Sequence, residues 1–293
     1  MTALTLAPTA PRRSALDRDV AMRLAAEEYQ RVIRVLRALP EEAWARPTDC
    51  TAWDVRQLVA HLLGMAEMAA SLPEQLRQMR AAKRAGGLFI DALTAHQVAK
   101  HQHRTPQQLT ERYAAVAPKA AKARRRTPGF VRSRAMGDPQ PVGANTPPEA
   151  WTFGYLIDVI LTRDPWMHRT ELVAAGGLEM ELTPQHDGVL VADIAEEWAG
   201  RHGQPCTLVL TGPAGGQLSW GTGGPTLELD AVEFCRILSG RGQGEGLLAI
   251  SLKNSASLRG RVMMEHPGIT GAPAHLDFKA TYDELTDGAL DAM

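Results

Sequence analysis

Trp151 to Gly177 reads WTFGYLIDVILTRDPWMHRTELVAAGG, and the way this stretch folds organises the rest of the chain. Ile157, Ile160, Leu161 and Leu172 recur at helical spacing, and Asp164 and His168 fall in the same i, i+3, i+4 series. The pattern predicts a helix that turns a carboxylate and an imidazole, one turn apart, toward the protein interior. Desolvating both is costly unless something satisfies them, and a single divalent metal ion does so. The competing reading is a surface Asp–His pair worth about 0.2–0.5 kcal/mol, and on this segment alone the two stand level. Pro165 follows Asp164 directly, removes the amide that would bond Leu161, and predicts a kink where the candidate ligands lie.

A second stretch tips the balance. Thr51 to Met68, TAWDVRQLVAHLLGMAEM, carries Val55, Leu58, Val59, Leu62 and Met65 as an apolar stripe with His61 seated on it. A lone histidine on such a face is more often a satisfied core residue than a ligand. If the two helices pack as neighbours, however, His61, Asp164 and His168 supply two nitrogens and one carboxylate, the donor count of a catalytic zinc site with an open fourth position. A structural site would want four protein ligands, and no cysteine stands ready to be the fourth.

The chain has 293 residues, long for one hydrophobic core, which favours two domains. Its formal net charge of −1 offers no global attraction to nucleic acid or to a membrane surface. Cys50, Cys206 and Cys235 are odd in number and far apart, so neither a disulfide framework nor a cysteine zinc ribbon is expected, and a reducing cytoplasm fits best. The opening MTALTLAPTAPRRSALD lacks the apolar run of a signal segment and reads as a short disordered tail, and no later run is long enough to span a membrane.

In chain order, Asp17 to Leu39 predicts a first helix stopped by Pro40. Thr51 is the candidate N-cap of the second, which extends to about Arg84 with a bend at Pro73 and ends at Gly86-Gly87. Helical pieces follow over Asp91 to Val116, with Thr105-Pro106 as a start signal. His101 to Arg134 holds nine Lys or Arg and one acid, without the aromatic interleaving of a nucleic-acid surface. One or two of these arginines are expected to face a small anionic ligand. Residues 127–149 are rich in Pro and Gly and predict an irregular crossing loop. After Gly176-Gly177 the character changes: a helix from Thr183-Pro184, then the β-prone runs CTLVLTG, GQLSWG and PTLELD, a helix over Asp230 to Leu238, the turn SGRGQGEG and the run LLAISL. Strands mixed with helices after an all-helical half indicate a separate α+β domain beginning near residue 180.

WDVRQLVAHLLG (53–64) and DVILTRDPWMHRTEL (158–172) resemble the paired metal-helix signatures of the mycothiol-dependent maleylpyruvate isomerase family, a branch of the DinB-like four-helix bundles. DAVEFCRILSGRGQGEGLL (230–248) is similar to part of that family's sterol-carrier-like C-terminal domain. The resemblance spans roughly residues 15–250. It implies a DinB-like metal-binding four-helix bundle over 15–180 followed by a smaller α+β domain over 181–293. It also implies zinc or another divalent metal on His61, Asp164 and His168, with mycothiol, a low-molecular-weight thiol, as cosubstrate. Asp164 stands where the isomerases proper carry Glu, which shortens the reach to the metal and separates zinc binding from isomerisation of maleylpyruvate itself. With zinc holding the cosubstrate as a thiolate, no protein nucleophile is required. The expected reaction is S-transfer to a small electrophile or, if the thiol later leaves, cis–trans isomerisation. Arg241, in the SGRGQG turn, is the candidate contact to an anionic part of substrate or cofactor, against the equally weighted alternative of a solvent-exposed turn arginine. Two other classes stay open: a zinc hydrolase or deacetylase with Glu67 as base, and a non-catalytic small-molecule-binding protein.

Overall fold

The computed structural model describes residues 10–87, 89–137 and 149–242. The chain divides into two compact units, the first reaching Met180 and the second starting at Glu181. The fold class is a helical bundle followed by a small α+β unit.

In the first unit, α1 (Arg18–Ala38), α2 (Val55–Ala70), α5 (Pro106–Arg126) and α8 (Leu161–Gly176) make a four-helix bundle. The hairpin of α3 (Leu72–Ala85) and α4 (Phe89–His101) packs against α2. Val32, Ile33 and Leu36 of α1, Leu58, Val59 and Leu62 of α2, Leu109, Tyr113 and Val116 of α5, and Leu172 of α8 close into one core. Burying a side chain of this size stabilises the fold by about 1.5–3 kcal/mol. Between α8 and α1, the Arg169 guanidinium donates to Glu28 at 2.8 Å with both side chains 1% exposed. Breaking such a pair leaves an uncompensated charge at a cost of about 3–5 kcal/mol, so it fixes the rotational setting of α8 and with it the direction of the adjacent His168.

Local chemistry sets the helix ends. Asp54, not Thr51, caps α2: its Oδ1 accepts from Gln57 N at 2.8 Å, and Gln57 Oε1 accepts from Asp54 N at 3.0 Å. The turn TDCTAWD offers several capping side chains, and the reciprocal bond to Gln57 is available only from Asp54. Instead of one bent helix reaching Arg84, the chain breaks at Ser71, which is extended (φ −150°) and caps α3, with Pro73 in that helix's first turn where its missing amide costs nothing. The expected irregular crossing loop begins instead with the short helix α6 (Gly129–Arg132), and residues 138–148 lie outside the described part. From Ala10 onward the N-terminal segment is no free tail: Arg12 bridges Trp151 through backbone bonds and pairs with Glu149 at 2.6 Å.

The approach to α8 runs through α7 (Phe153–Tyr155) and a π-helical turn, Leu156–Ile160. In that turn Leu161 N bonds back to Leu156 O, so Ile157 O loses its partner, and Pro165 offers no amide to Leu161 O. Arg124 of α5 supplies both bonds. Its Nη2 and Nε donate to Ile157 O at 2.6 and 3.1 Å, its Nη1 donates to Leu161 O at 2.9 Å, and Nη2 also donates to Thr162 Oγ1 at 2.6 Å. The irregularity foreseen at Pro165 therefore sits a turn earlier, and α8 runs continuously past the proline.

The second unit comprises a π-helical turn (Pro184–Gly188), α9 (Val189–His202), strands β1 (Cys206–Thr211), β2 (Gly216–Trp220) and β3 (Thr226–Asp230), and α10 (Ala231–Leu238). The sheet order is β2-β1-β3, with β1 antiparallel to β2 and parallel to β3. Cys206, Leu208 and Leu210 alternate inward from β1, and Trp198 of α9 meets Phe234 of α10 edge-on at 5.6 Å. The run LLAISL lies outside the described residues.

Candidate metal centre

Helices α2 and α8 bring together His61, Asp164 and His168, whose ligand-capable atoms all lie within 4.8 Å of one another. His61 Nε2 is 3.9 Å from Asp164 Oδ2, and His168 Nε2 is 3.4 Å from Asp164 Oδ1. A tetrahedral ion with bonds of about 2.0–2.1 Å spaces its donors by roughly 3.4 Å, so the group has the span and the donor chemistry to hold one. Both imidazoles are buried, while the Asp164 side chain keeps 18% of its surface and marks the side open to solvent. Trp53 lies against His61 with ring centroids 5.1 Å apart.

Each imidazole is steered from behind. His61 Nδ1 is 2.8 Å from Gln97 Oε1, and the amide group of Gln97 is oriented by donation to Gln78 Oε1 at 2.9 Å. A carbonyl oxygen only accepts, so His61 carries its proton on Nδ1 and leaves the Nε2 lone pair facing Asp164. Gln97 reaches His61 because α2 has a glycine at Gly64, one turn on: a Cβ there would fall 2.5 Å from Gln97 Cγ and 2.6 Å from its Cβ. On α8, Glu171 Oε2 accepts from His168 Nδ1 at 3.2 Å and turns Nε2 of that ring toward the same point.

These surroundings separate the two imidazoles electrostatically. Burial pushes the His61 pKa down to about 4, offset only in part by Asp164. Burial acts in the same sense on His168, but the carboxylates of Glu171 and Asp164 outweigh it and raise the pKa to about 9. Without an ion, His168 is therefore an imidazolium held between two acids while His61 stays neutral, and a divalent cation replaces that proton with a stronger positive charge.

Gln97, Gln78, Gly64 and Glu171 were not read from the sequence. Glu171 was within reach of that reading, since Asp164, His168 and Glu171 follow one helix face at i, i+4 and i+7. A glycine inside an apolar helix at Gly64 was the other signal. Among the described residues no cysteine joins His61, Asp164 and His168, although Cys50 Sγ lies 3.9 Å from Glu171 Oε1.

Arg241 lies in the turn after α10, where its amide donates to Arg236 O at 2.7 Å and its Nη1 donates to Ser239 O at 3.4 Å. Within the basic stretch, Arg124 serves the helix backbone, Arg112 pairs with Glu67 at 2.9 Å, Arg125 with Asp19 at 3.0 Å, and Arg132 with Asp158. Those four are thus engaged with protein groups. Glu67 is buried against Lys100, Arg112 and His101. Burial alone would raise its carboxyl, but His101, Lys100 and Arg112 hold it far below the usual carboxylate range, which makes it a weak base. Among the described residues no helix is long and apolar enough to cross a membrane, and no disulfide joins the three cysteines.

The family model described as the mycothiol maleylpyruvate isomerase N-terminal domain matches residues 25–172, just over half of the chain, and that span contains all three candidate ligands. Among solved structures, the crystal structure of a mycothiol-dependent maleylpyruvate isomerase is similar at 16% identity with a TM-score of 0.50, covering 78% of this chain and 90% of that one. The crystal structure of a histidine-to-alanine mutant of such an isomerase is similar at 15% identity, again with a TM-score of 0.50 and coverage of 78% and 90%. At these identities the likeness is one of fold. No curated protein matches the chain significantly.

Proposed function

This chain belongs to the mycothiol maleylpyruvate isomerase N-terminal domain family, and from that premise we propose that it is a zinc enzyme using mycothiol to attack a small electrophilic substrate. The observation that carries the reading is the convergence of His61, Asp164 and His168, with Nε2 of both rings facing Asp164 while their Nδ1 atoms face Gln97 and Glu171. Asp164, though one methylene shorter than Glu, comes within 3.9 and 3.4 Å of the two rings, which supports counting its carboxylate in the proposed donor set. A divalent ion held there supplies Lewis acidity, lowering the pKa of a thiol at its remaining position so that the thiolate predominates at neutral pH.

The protein's own groups do the positioning. Gln97 and Glu171 face the Nδ1 atoms on the far side of the imidazoles, and Asp164, the most exposed member at 18%, lines the side from which cosubstrate and electrophile would enter. A carbon–sulfur bond to the electrophile gives S-transfer, and later departure of the thiol gives cis–trans isomerisation. In the second unit, Arg241 is our candidate for an anionic group of substrate or cofactor. We take residues 15–180 and 181–293 to be separate domains with the metal wholly in the first, so a fragment ending near Gly177 should fold and retain zinc by elemental analysis. Cysteines outside any disulfide suit a reducing compartment, and we place the protein in the cytoplasm.

The zinc-loaded chain should turn over small electrophiles only when mycothiol is present, and His61→Ala should lose both metal and turnover. Full activity without thiol would instead favour a hydrolase with metal-activated water.

A further inference from the structure

Behind the proposed centre lies a second set of donors. Cys50, His168 and Glu171 offer ligand atoms that all fall within 4.8 Å of one another. Glu171 Oε2 is 3.2 Å from His168 Nδ1, and Glu171 Oε1 is 3.9 Å from Cys50 Sγ. Cys50 is held in place by its own turn, where its carbonyl accepts from Trp53 N at 2.7 Å and from Thr48 Oγ1 at 3.2 Å. The His168 ring is thus flanked on both edges: Nε2 faces Asp164 and His61, and Nδ1 faces Glu171 and Cys50.

We propose that Cys50, His168 and Glu171 form a second cation position, selective for a thiophilic divalent ion and mutually exclusive with the first. Selectivity follows from the donors. A thiolate favours soft ions, whereas the imidazole and carboxylate of His61 and Asp164 suit harder ones. The charges also close, since a thiolate and a carboxylate together neutralise a divalent ion in a largely buried place. Exclusion follows from the ring. A neutral imidazole has one lone pair and one N–H, so His168 ligates through Nε2 or through Nδ1 but not both. When the second position fills, the ion bonds to Cys50 Sγ and to His168 Nδ1, and the Cys50 thiol proton and the His168 Nδ1 proton both leave to solvent. The His168 proton then resides on Nε2, where Asp164 Oδ1, 3.4 Å away, accepts it. In that state the first centre has lost a ligand, so a soft ion inhibits the activity proposed above. This last step rests on the reading of the first centre.

The test uses the full chain with Cd²⁺ as the soft probe and Mn²⁺ as the hard one. Wild type should take up about one Cd²⁺ per chain with an ultraviolet thiolate-to-metal band. His61→Ala should keep both. Cys50→Ser, a conservative change at a half-buried position whose folding is checked by circular dichroism, should lose the band while retaining one Cd²⁺ at the first centre. Absence of the band in wild type, its survival in Cys50→Ser, or binding of two Cd²⁺ per chain would overturn the proposal. Mn²⁺ reports separately on the first centre: its binding should vanish in His61→Ala and persist in Cys50→Ser. Undiminished Mn²⁺ binding in His61→Ala would sink the reading of the first centre while leaving the sulfur band to decide the second.

Discussion

Replacing Gly64 with alanine tests whether the centre is tuned from behind. The added Cβ would lie 2.5 Å from Gln97 Cγ and 2.6 Å from Gln97 Cβ, where carbon–carbon contacts settle at about 3.5–4.0 Å. The near atom at 2.6 Å is the root of the Gln97 side chain, so rotating its far end brings no relief and α4 must withdraw from α2 by about 1 Å. Overpacking of this kind costs about 1–3 kcal/mol, equivalent to a fall in Tm of roughly 2–12 °C in a chain of this size. Withdrawal also carries Gln97 Oε1 away from His61 Nδ1, now 2.8 Å distant. Loss of such a supporting bond weakens metal affinity about 10–100-fold. Calorimetric melting of the metal-free protein reads the first effect and chelator competition the second. Gln97→Ala should weaken metal binding by a similar factor, and adding Gly64→Ala to it should weaken affinity no further while still lowering Tm, because both changes remove the same bond. The reasoning is refuted if Gly64→Ala melts and binds metal like wild type, or if its effect on affinity adds in full to that of Gln97→Ala.

His168 in the metal-free protein keeps its proton up to about pH 9, so uptake of an ion at pH 7 should release about one proton, measurable by titration calorimetry in buffers of different ionisation heat. Because this pKa lies above the ordinary 6.5, the stability it contributes is complete below pH 6.5 and drains away as pH rises through about 9; the margin between wild type and His168→Asn should shrink across that window in chemical denaturation. Arg124→Leu should orphan Ile157 O and Leu161 O, at about 1–3 kcal/mol for each group, and Arg124→Lys should restore only part of the loss in urea unfolding because one ammonium cannot span both carbonyls. Glu67→Gln should leave thiol-dependent turnover unchanged while lowering Tm, since the carboxylate serves Lys100, His101 and Arg112; a collapse of turnover with an intact fold would revive Glu67 as a base.

Much of the candidate centre was legible because its three candidate ligands lie on two helices with clear apolar stripes: His61 between Leu58 and Met65, Asp164 and His168 one turn apart. Periodicity alone placed them on inward faces. What supports them was not legible, because Gln97 and Cys50 come from elements whose packing against the site is set by tertiary contacts. The α4 helix that carries Gln97 has almost no amphipathic contrast to announce which side faces α2, and Cys50 sits in a turn. Pro165 announced an irregularity, yet its position depended on where a partner could serve the freed carbonyls. Arg124, buried on α5, supplied that answer from 33 to 38 residues away in sequence. The N-cap of α2 was misplaced for a simpler reason: Thr51 and Asp54 both qualify by residue type, and only Gln57 three residues on distinguishes them.

The π-helical turn at Leu156–Ile160 gives the two halves of this segment independent angular phases. An α-helix advances about 100° per residue, and a π-turn absorbs one residue more than an α-turn does. The backbone before it is anchored through Trp151 to Arg12 and through Thr152 to Ala135, while the backbone after it must aim Asp164 and His168 at His61. A continuous α-helix would tie those two directions together. Deleting a single residue between Leu156 and Ile160 would swing the donor face by about a quarter of a turn relative to the anchor. In this protein the bearing of Asp164 and His168 is therefore a matter of residue count.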